Sequence, residues 1–459
     1  MLFRQIETIL LEFRPCFSRK AAFYWFLIVV VGFIVRCDNH GASSFIRWLF
    51  LSPEHYDPLL RFFRANSWKL ESLLSRWVQI AIHRCSPLMI NGRRVLIGDG
   101  IKVCKEAKKM PAVKSLHQES DNSGKGEYIF GHHFGYVGLL IGNLAKAFCL
   151  PLHGRIHEGI GSICPEEGFG GKPATLVTRM ACLVVLIVQQ TGLPCYVSLD
   201  AYFAVGPVFL IFKETVNKQG TQLVHLITRA KDNYVAYYNQ EKVNLKNMFD
   251  FPDLFEKIDI QTYGRTKTIE YTWADLLWKP VKGIIRFVWV KDGQGCYILM
   301  CSDFQLPAPE IIAIYAYRAK IEVMFLFLKH IIGGFCYHFW TKAFPKIKRG
   351  KTLDYSTLSE KSKEKFVQTV EAIERFINLA GIAMGLLQYH SLTQAEGIWN
   401  SYNGWLRTRS AEFPSEEVVQ YVVRAEFFSA LAGGKVAFCR TLQMISDRRR
   451  KSPPLDQAA

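Results

Sequence analysis

Apolar residues fall into patterns of two kinds along this chain, and their spacing separates helix from strand. The stretch Pro307 to Ile331, PAPEIIAIYAYRAKIEVMFLFLKHI, is the clearest helical one. Pro307 and Pro309 suit a helix start, where a missing N–H costs nothing, and Ser302 and Asp303 upstream are turn or cap types. From Ile311 onward there is no Gly or Pro, so the pattern predicts one long helix. Tyr315, Arg318, Glu322 and Lys329 recur at offsets of three, seven and fourteen. At about 100° per residue they share an arc of roughly 60°. Nearly everything else up to Leu328 is apolar, so most of the helix should be buried. Charge buried without partners is expensive. The plainest account of the stripe is an internal ion-pair ladder, Arg318 with Glu322 at i,i+4.

Strand-like runs precede this helix. Val95 to Ile97 is a short apolar run closed by Gly98-Asp99-Gly100, which sets Asp99 at a strand end, although Asp-Gly alone reads as a turn. Tyr128 to Leu140, with a possible break at Gly135, and Pro151 to His157 are two further strands. Pro194 to Asp200 is another, again ending in an acid, and Leu223 to Thr228 follows. Ala174 to Gln190 reads as a buried helix and Ala201 to Ala204 as a short one. A mixed sheet with helices on its faces is the simplest closure, and it brings the strand ends at Asp99 and Asp200 within reach of each other. Lysines 102, 105, 108, 109 and 114 and the polar run Gln118 to Lys125 make a basic loop. Residues 233–305 are strand-rich, with Asp292-Gly293-Gln294-Gly295 as a hairpin link.

The ends read as helical. Ala21 to Val35 is wholly apolar but shorter than the about 20 residues a membrane span needs. A buried helix is the expectation and a signal anchor the alternative. Ser52-Pro53 starts another helix, and Phe62 to Ala81 keeps helical spacing. Ser362 to Tyr389 is a long helix, more helices follow over 391–447, and Arg448 to Pro454 reads as a disordered tail. The division is then a helical N-terminal domain over 1–90, a core over 91–390 interrupted at about 233–305, and a helical C-terminal region over 391–459.

Composition adds a partner. The net charge of +17 and pI near 9.3 argue for a polyanion, nucleic acid before an anionic membrane surface. The 12 Cys never form C-x-x-C, so zinc-finger or ribbon spacing is absent and buried reduced thiols of a cytosolic protein are expected. His132 and His133 lack other ligands at matching spacing and read as structural.

Tyr-x2-Arg-x3-Glu-x6-Lys, filled by Tyr315, Arg318, Glu322 and Lys329, resembles the signature of DDE transposases of the IS4-like insertion-sequence group. Val95-Leu96-Ile97-Gly98-Asp99-Gly100 and Tyr196-Val197-Ser198-Leu199-Asp200 extend the likeness over about Val95 to Trp340. The resemblance implies an α/β fold: an RNase H-like mixed sheet flanked by helices, with a β-strand-rich insertion and helical N- and C-terminal regions. It implies that Asp99, Asp200 and Glu322 are the catalytic acids and hold two Mg2+, with Mn2+ able to substitute. Tyr315, Arg318 and Lys329 would contact DNA phosphates. The implied partners are double-stranded DNA, as transposon ends and target, and a second copy of the chain in a synaptic homodimer. No membrane is expected, and the location would be cytoplasmic, on the nucleoid when DNA-bound. DNA binding by 1–90 also leans on this likeness. A related nuclease without strand transfer and a catalytically decayed DNA-binding relative are the alternatives. Many relatives carry a hydroxyl residue two places after the first aspartate, where this chain has Ile101. Some relatives stack an aromatic on a flipped base near the cut; Trp273, Trp278 and Trp289 lie in the insertion and could do so, although core packing is the commoner role for each.

Overall fold

The computed structural model describes residues 2–105, 107–118, 126–161, 166–293, 295–346, 348, 351, 353–407, 412–433 and 439–450. Most of the polar run Gln118 to Lys125, Gln294 of the hairpin link, Arg349, Gly350 and the tail from 451 lie outside the described residues.

The strands are β1 (Met89–Ile90), β2 (Arg93–Cys104), β3 (Lys114–His117), β4 (Tyr128–Gly142), β5 (Ala147–Ile156), β6 (Cys195–Leu199) and β7 (Val224–Arg229). They continue as β8 (Val235–Tyr238), β9 (Glu241–Asn244), β10 (Glu256–Thr262), β11 (Arg265–Trp278), β12 (Gly283–Asp292) and β13 (Gly295–Cys301). All join one mixed sheet in the order β3-β4-β2-β6-β7-β13-β12-β11-β8-β9, with β1 on β2, β5 on β4 and β10 on β11. Only β2, β6 and β7 run parallel to their neighbours in this set. β6 and β7 are buried almost throughout, as expected where both faces are covered. The strands of 233–305 do not stand apart: β13 pairs with β7 through Leu299 and Arg229, so the insertion lengthens the core sheet.

The first helices are α1 (Leu2–Leu11), α2 (Lys20–Val35), α3 (Ser43–Trp48), α4 (Tyr56–Arg64) and α5 (Leu70–Arg84). Next come α6 (Leu176–Thr191), α7 (Gly206–Glu214), α8 (Ala308–Ala316) and α9 (Lys320–His330). The last are α10 (Glu360–Thr393), α11 (Ala395–Ser401), α12 (Glu416–Ala432) and α13 (Arg440–Arg450). The apolar spacing over Phe62 to Ala81 is therefore split between two helices, with Ala65 to Lys69 turning between them. Arg448 to Arg450, expected in a disordered tail, end α13.

The apolar run at 21–35 is α2, a helix buried on nearly every side. Its Phe33 ring lies 4.9 Å from Phe376 of α10, and Phe63 of α4 lies 5.7 Å from the same ring. The N-terminal helices thus share one hydrophobic core with the C-terminal ones. Among the described residues no helix is long and apolar enough to cross a membrane.

Two glycines set how helices lie on the sheet. A Cβ at Gly381 of α10 would stand 2.4 Å from the Tyr136 hydroxyl, so α10 reaches β4 only because that atom is missing. On the opposite face, a Cβ at Gly98 would meet Leu199 at 2.7 Å and the Met180 sulfur of α6 at 3.0 Å. Thr175 and Thr178 cap the start of α6 reciprocally, and Gly192 closes its end in the left-handed region.

Candidate active site

Asp99 does not end a strand. β2 continues through the Asp-Gly pair to Cys104, held by antiparallel pairing of Asp99 with Tyr136 and of Gly100 with Gly135. What ends beside Asp99 is the parallel pairing with β6, whose last matched residues are Gly98 and Leu199. Asp200 is the next residue on the β6 side. The two aspartates therefore sit abreast at the carboxyl edge of adjacent parallel strands, the usual place for a ligand crevice in an open α/β sheet. Asp200 then leaves the sheet, its side chain accepting from the Ala201 N–H at the head of a tight helical turn. Its carbonyl accepts from the buried Thr228 hydroxyl of β7 at 2.9 Å.

The expected single helix over 307–331 is two. Between α8 and α9 the turn Tyr317 to Ala319 tightens to the 3-10 form, with no residue leaving the right-handed region. Such tightening inside a helix often marks a strained or functional position, and here it holds Arg318. The β10–β11 hairpin clamps it. Tyr263 and Gly264 form the two-residue loop, both with positive φ (56° and 70°), the form that suits a hairpin's twist. The Tyr263 hydroxyl donates to the Ala316 carbonyl at 2.5 Å, and its ring lies 5.0 Å from that of Tyr317. Tyr317 in turn donates to the Leu144 carbonyl. Tyr263 went unnoticed in the sequence. Its one local mark was a Tyr-Gly pair between two alternating runs.

Arg318 joins the pieces. It donates from Nη1 to Asp99 Oδ2 at 3.0 Å and from Nη2 to Glu322 Oε1 at 2.6 Å. Asp99 also accepts the Gly100 N–H at 2.7 Å. Burial, together with the nearby Asp200 and Glu322, pushes the Asp99 carboxyl above its usual range, against the pull of Arg318 and the Gly100 bond. Burial alone would lower Arg318, yet Asp99, Tyr315, Asp200 and Glu322 together raise it. Burial raises the Tyr315 phenol, and Arg318 opposes this.

The three acids are thus brought to one place, but not into a cage. Glu322 keeps 59% of its side chain exposed on the outer side of α9. Among the described residues no group of three or more His, Cys, Asp or Glu side chains is gathered closely enough to hold a metal ion. A guanidinium stands between Asp99 and Glu322 instead. α9 is also wetter than the apolar pattern implied: Val323, Leu326 and Lys329 are exposed with Glu322.

Two hollows flank the Arg318–Asp99 pair. One, of about 450 Å3, is lined by Asp99, Asp200, Lys102, Lys114, His133 and Glu158 among others. The second, of about 960 Å3, lies between α8 and the hairpin and includes Tyr315, Arg318, Arg229, Arg265, Tyr263 and Tyr297. Lys329 lines neither. The histidine pair is structural in its bonding. His132 is buried between the Tyr337 hydroxyl (2.7 Å) and the Pro111 carbonyl (2.8 Å), and His133 pairs with Glu158 at 2.7 Å. Trp289 and Trp278 are core residues, whereas Trp273 is half exposed beneath the Arg286 guanidinium, 4.2 Å from its ring centre. No protein-family model matches the chain, and no curated protein matches it.

Proposed function

We propose that this chain is a DNA strand-cleaving and strand-joining enzyme of the DDE transposase type, on an RNase H-like core. One observation carries the reading: two aspartates abreast where the parallel pairing of β2 with β6 ends, the first of them tied by a single guanidinium to a glutamate on a helix laid beside them. Asp99, Asp200 and Glu322 would hold Mg2+ or Mn2+. Their donor set is all carboxylate oxygen, which suits hard cations, and a positive group already sits where these carboxylates need one. The metal would supply an activated nucleophile and a stabilised leaving oxygen for in-line displacement at phosphorus.

The chain's own residues do the rest. Asp99 is fixed by strand pairing, and Asp200 by the Ala201 N–H and the Thr228 hydroxyl, so they define one side of the site before substrate arrives. Glu322, on the exposed side of α9, can swing through its own rotamers to meet them. Arg318 must then leave the carboxylates, and a DNA phosphate is the natural new partner for its planar fork. Tyr315, beside it in the larger hollow, has a phenol free to follow the same phosphate. Lys329, exposed about two turns past Glu322, adds a point charge along the backbone. A net charge of +17 supplies the long-range attraction for DNA. The partners are duplex DNA and a second copy of the chain holding the other end.

The test is a supercoiled-plasmid and end-fragment assay with Mg2+ or Mn2+. Nicked and joined products are expected from the native chain. Nicked products alone would leave a nuclease without strand transfer. No metal-dependent nicking at all, with DNA binding intact, would reduce the Arg318–Glu322 pair to an internal ion pair of a DNA-binding protein.

A further inference from the structure

Past α9 the chain runs Tyr337-His338-Phe339-Trp340 in extended form, alternately buried and exposed. Tyr337 and Phe339 face Phe376 of α10 at 6.3 and 5.9 Å. His338 and Trp340 point outward, with Trp340 49% exposed. The backbone beneath them is pinned. Lys105 donates to the carbonyls of Phe335 (2.7 Å) and Tyr337 (3.0 Å), Arg64 to that of Trp340 (3.2 Å), and the Thr341 N–H to that of Lys109 (3.3 Å). Two aromatic rings are therefore presented to solvent on a rigid support.

These rings form a ridge shared by two hollows, of about 440 and 300 Å3. Arg64, Lys342 and Lys365 line the first, and Lys108 and Lys109 the second. Neither lining contains an Asp or a Glu. Lys346, Lys348 and Lys351 follow, all exposed. A flat π surface flanked on both sides by cations, with no acid in either lining, fits a ligand that alternates anions with flat rings. An acidic peptide offers the anions but not the rings. A polynucleotide with unstacked bases offers both.

We propose that the His338–Trp340 ridge and its two hollows bind a single-stranded polynucleotide, with bases stacked on the rings and phosphates on Lys108, Lys109, Arg64 and Lys342. The surface is not the carboxylate site. At about 3.3 Å per residue, β2 travels roughly 17 Å from Asp99 to Cys104 before the chain reaches the wall of the second hollow. The binding needs no metal and stands independently of the strand-cleaving reading.

The experiment is fluorescence anisotropy on the full chain in EDTA, with labelled oligothymidylate and oligouridylate of about 20 nucleotides. Trp340→Ala should weaken strand binding roughly 10-fold, one stacked base's worth, while Trp340→Phe keeps most of the affinity. Lys108→Ala with Lys109→Ala should weaken binding and flatten its salt dependence. Glu322→Gln should leave it unchanged, which separates this surface from the proposed catalytic one. Tighter binding of the ribose strand names RNA as the source, and equal or tighter binding of the deoxyribose strand names DNA. The proposal is overturned if Trp340→Ala binds within about twofold of the native chain, if a duplex loses as much affinity as the strand, or if polyglutamate competes as well as the strand.

Discussion

Arg36 and Arg375 are buried in the helical layer and Arg318 is half-buried at the edge of the sheet, and their partners differ in kind. In the helical layer, Arg375 of α10 donates to the carbonyls of Phe63 (3.0 Å), Ala65 (2.8 Å) and Trp68 (3.1 Å). Arg36, just past α2, does the same with Gly41 (3.1 Å), Ile332 (2.7 Å) and Gly333 (2.9 Å). At the sheet's carboxyl edge, Arg318 bonds only side-chain carboxylates, those of Asp99 and Glu322. Backbone carbonyls cannot turn away, so the first two guanidiniums are fixtures joining segments distant in sequence. Carboxylates on rotatable side chains can be exchanged for another anion, and the third guanidinium can be exchanged for another cation. The same residue type is cement in one place and, in the proposed reading, a removable plug in the other.

The comparison breaks most visibly through Glu322→Gln. Metal-dependent cleavage should fall on the order of 100–1000-fold with the fold and DNA binding kept. Full activity in that variant would make the carboxylate edge as purely structural as the helical layer. Arg375→Met should lower stability by about 3 kcal/mol in urea unfolding, because three buried carbonyls lose their donor. A loss under about 1 kcal/mol would erase the distinction drawn for it.

Glu374, the neighbour of Arg375, sharpens the contrast by pH. It is half-buried, and it accepts the Ile156 N–H at 2.9 Å. Burial pushes its carboxyl up to about 7, aided by Glu71 and Glu166 and opposed by Arg155 and that N–H. The folded state then holds a proton that the unfolded chain has released, so this group's contribution falls as pH rises from about 4.5 to about 7. The total is up to about 3 kcal/mol. Unfolding free energies of Glu374→Gln should lack that decline, and an identical decline in both proteins would assign it elsewhere. The smallest effect is at Arg318. Arg318→Met should bind Mn2+ about tenfold more tightly without DNA, followed by electron paramagnetic resonance, since one competing charge near 3 Å is removed. Weaker binding would mean that the guanidinium supports the acids rather than competing for them.

Much of the frame was readable in advance. The strand runs at 95–97, 128–140, 151–157, 194–200 and 223–228 all lie on observed strands or adjoin them, because strand identity follows from local alternation and β-branched residues. The apolar run at 21–35 was readable as a buried helix from its length alone. The split of the 307–331 helix was not, since Tyr317 to Ala319 are good helix residues. What tightens that turn is a hairpin tip more than fifty positions away, through Tyr263. Nor did local chemistry reveal that Gly98-Asp99-Gly100 continues as strand. Asp-Gly prefers a turn, and only pairing with Tyr136 and Gly135 of β4 overrides it.

By itself the sequence determined which segments must be buried, which period each follows and the excess of positive charge, all of which depend on composition and on spacing within about a dozen residues. The three acids with their arginine were a candidate set only through the likeness to a transposase signature. The tertiary structure decided that Asp99 and Asp200 stand abreast, and that Arg318 fills the space between Asp99 and a glutamate pointing outward. The reason is register: a parallel pairing across a hundred residues and a bond between residues 219 positions apart are set by how whole strands and helices dock. No window of the chain contains both partners.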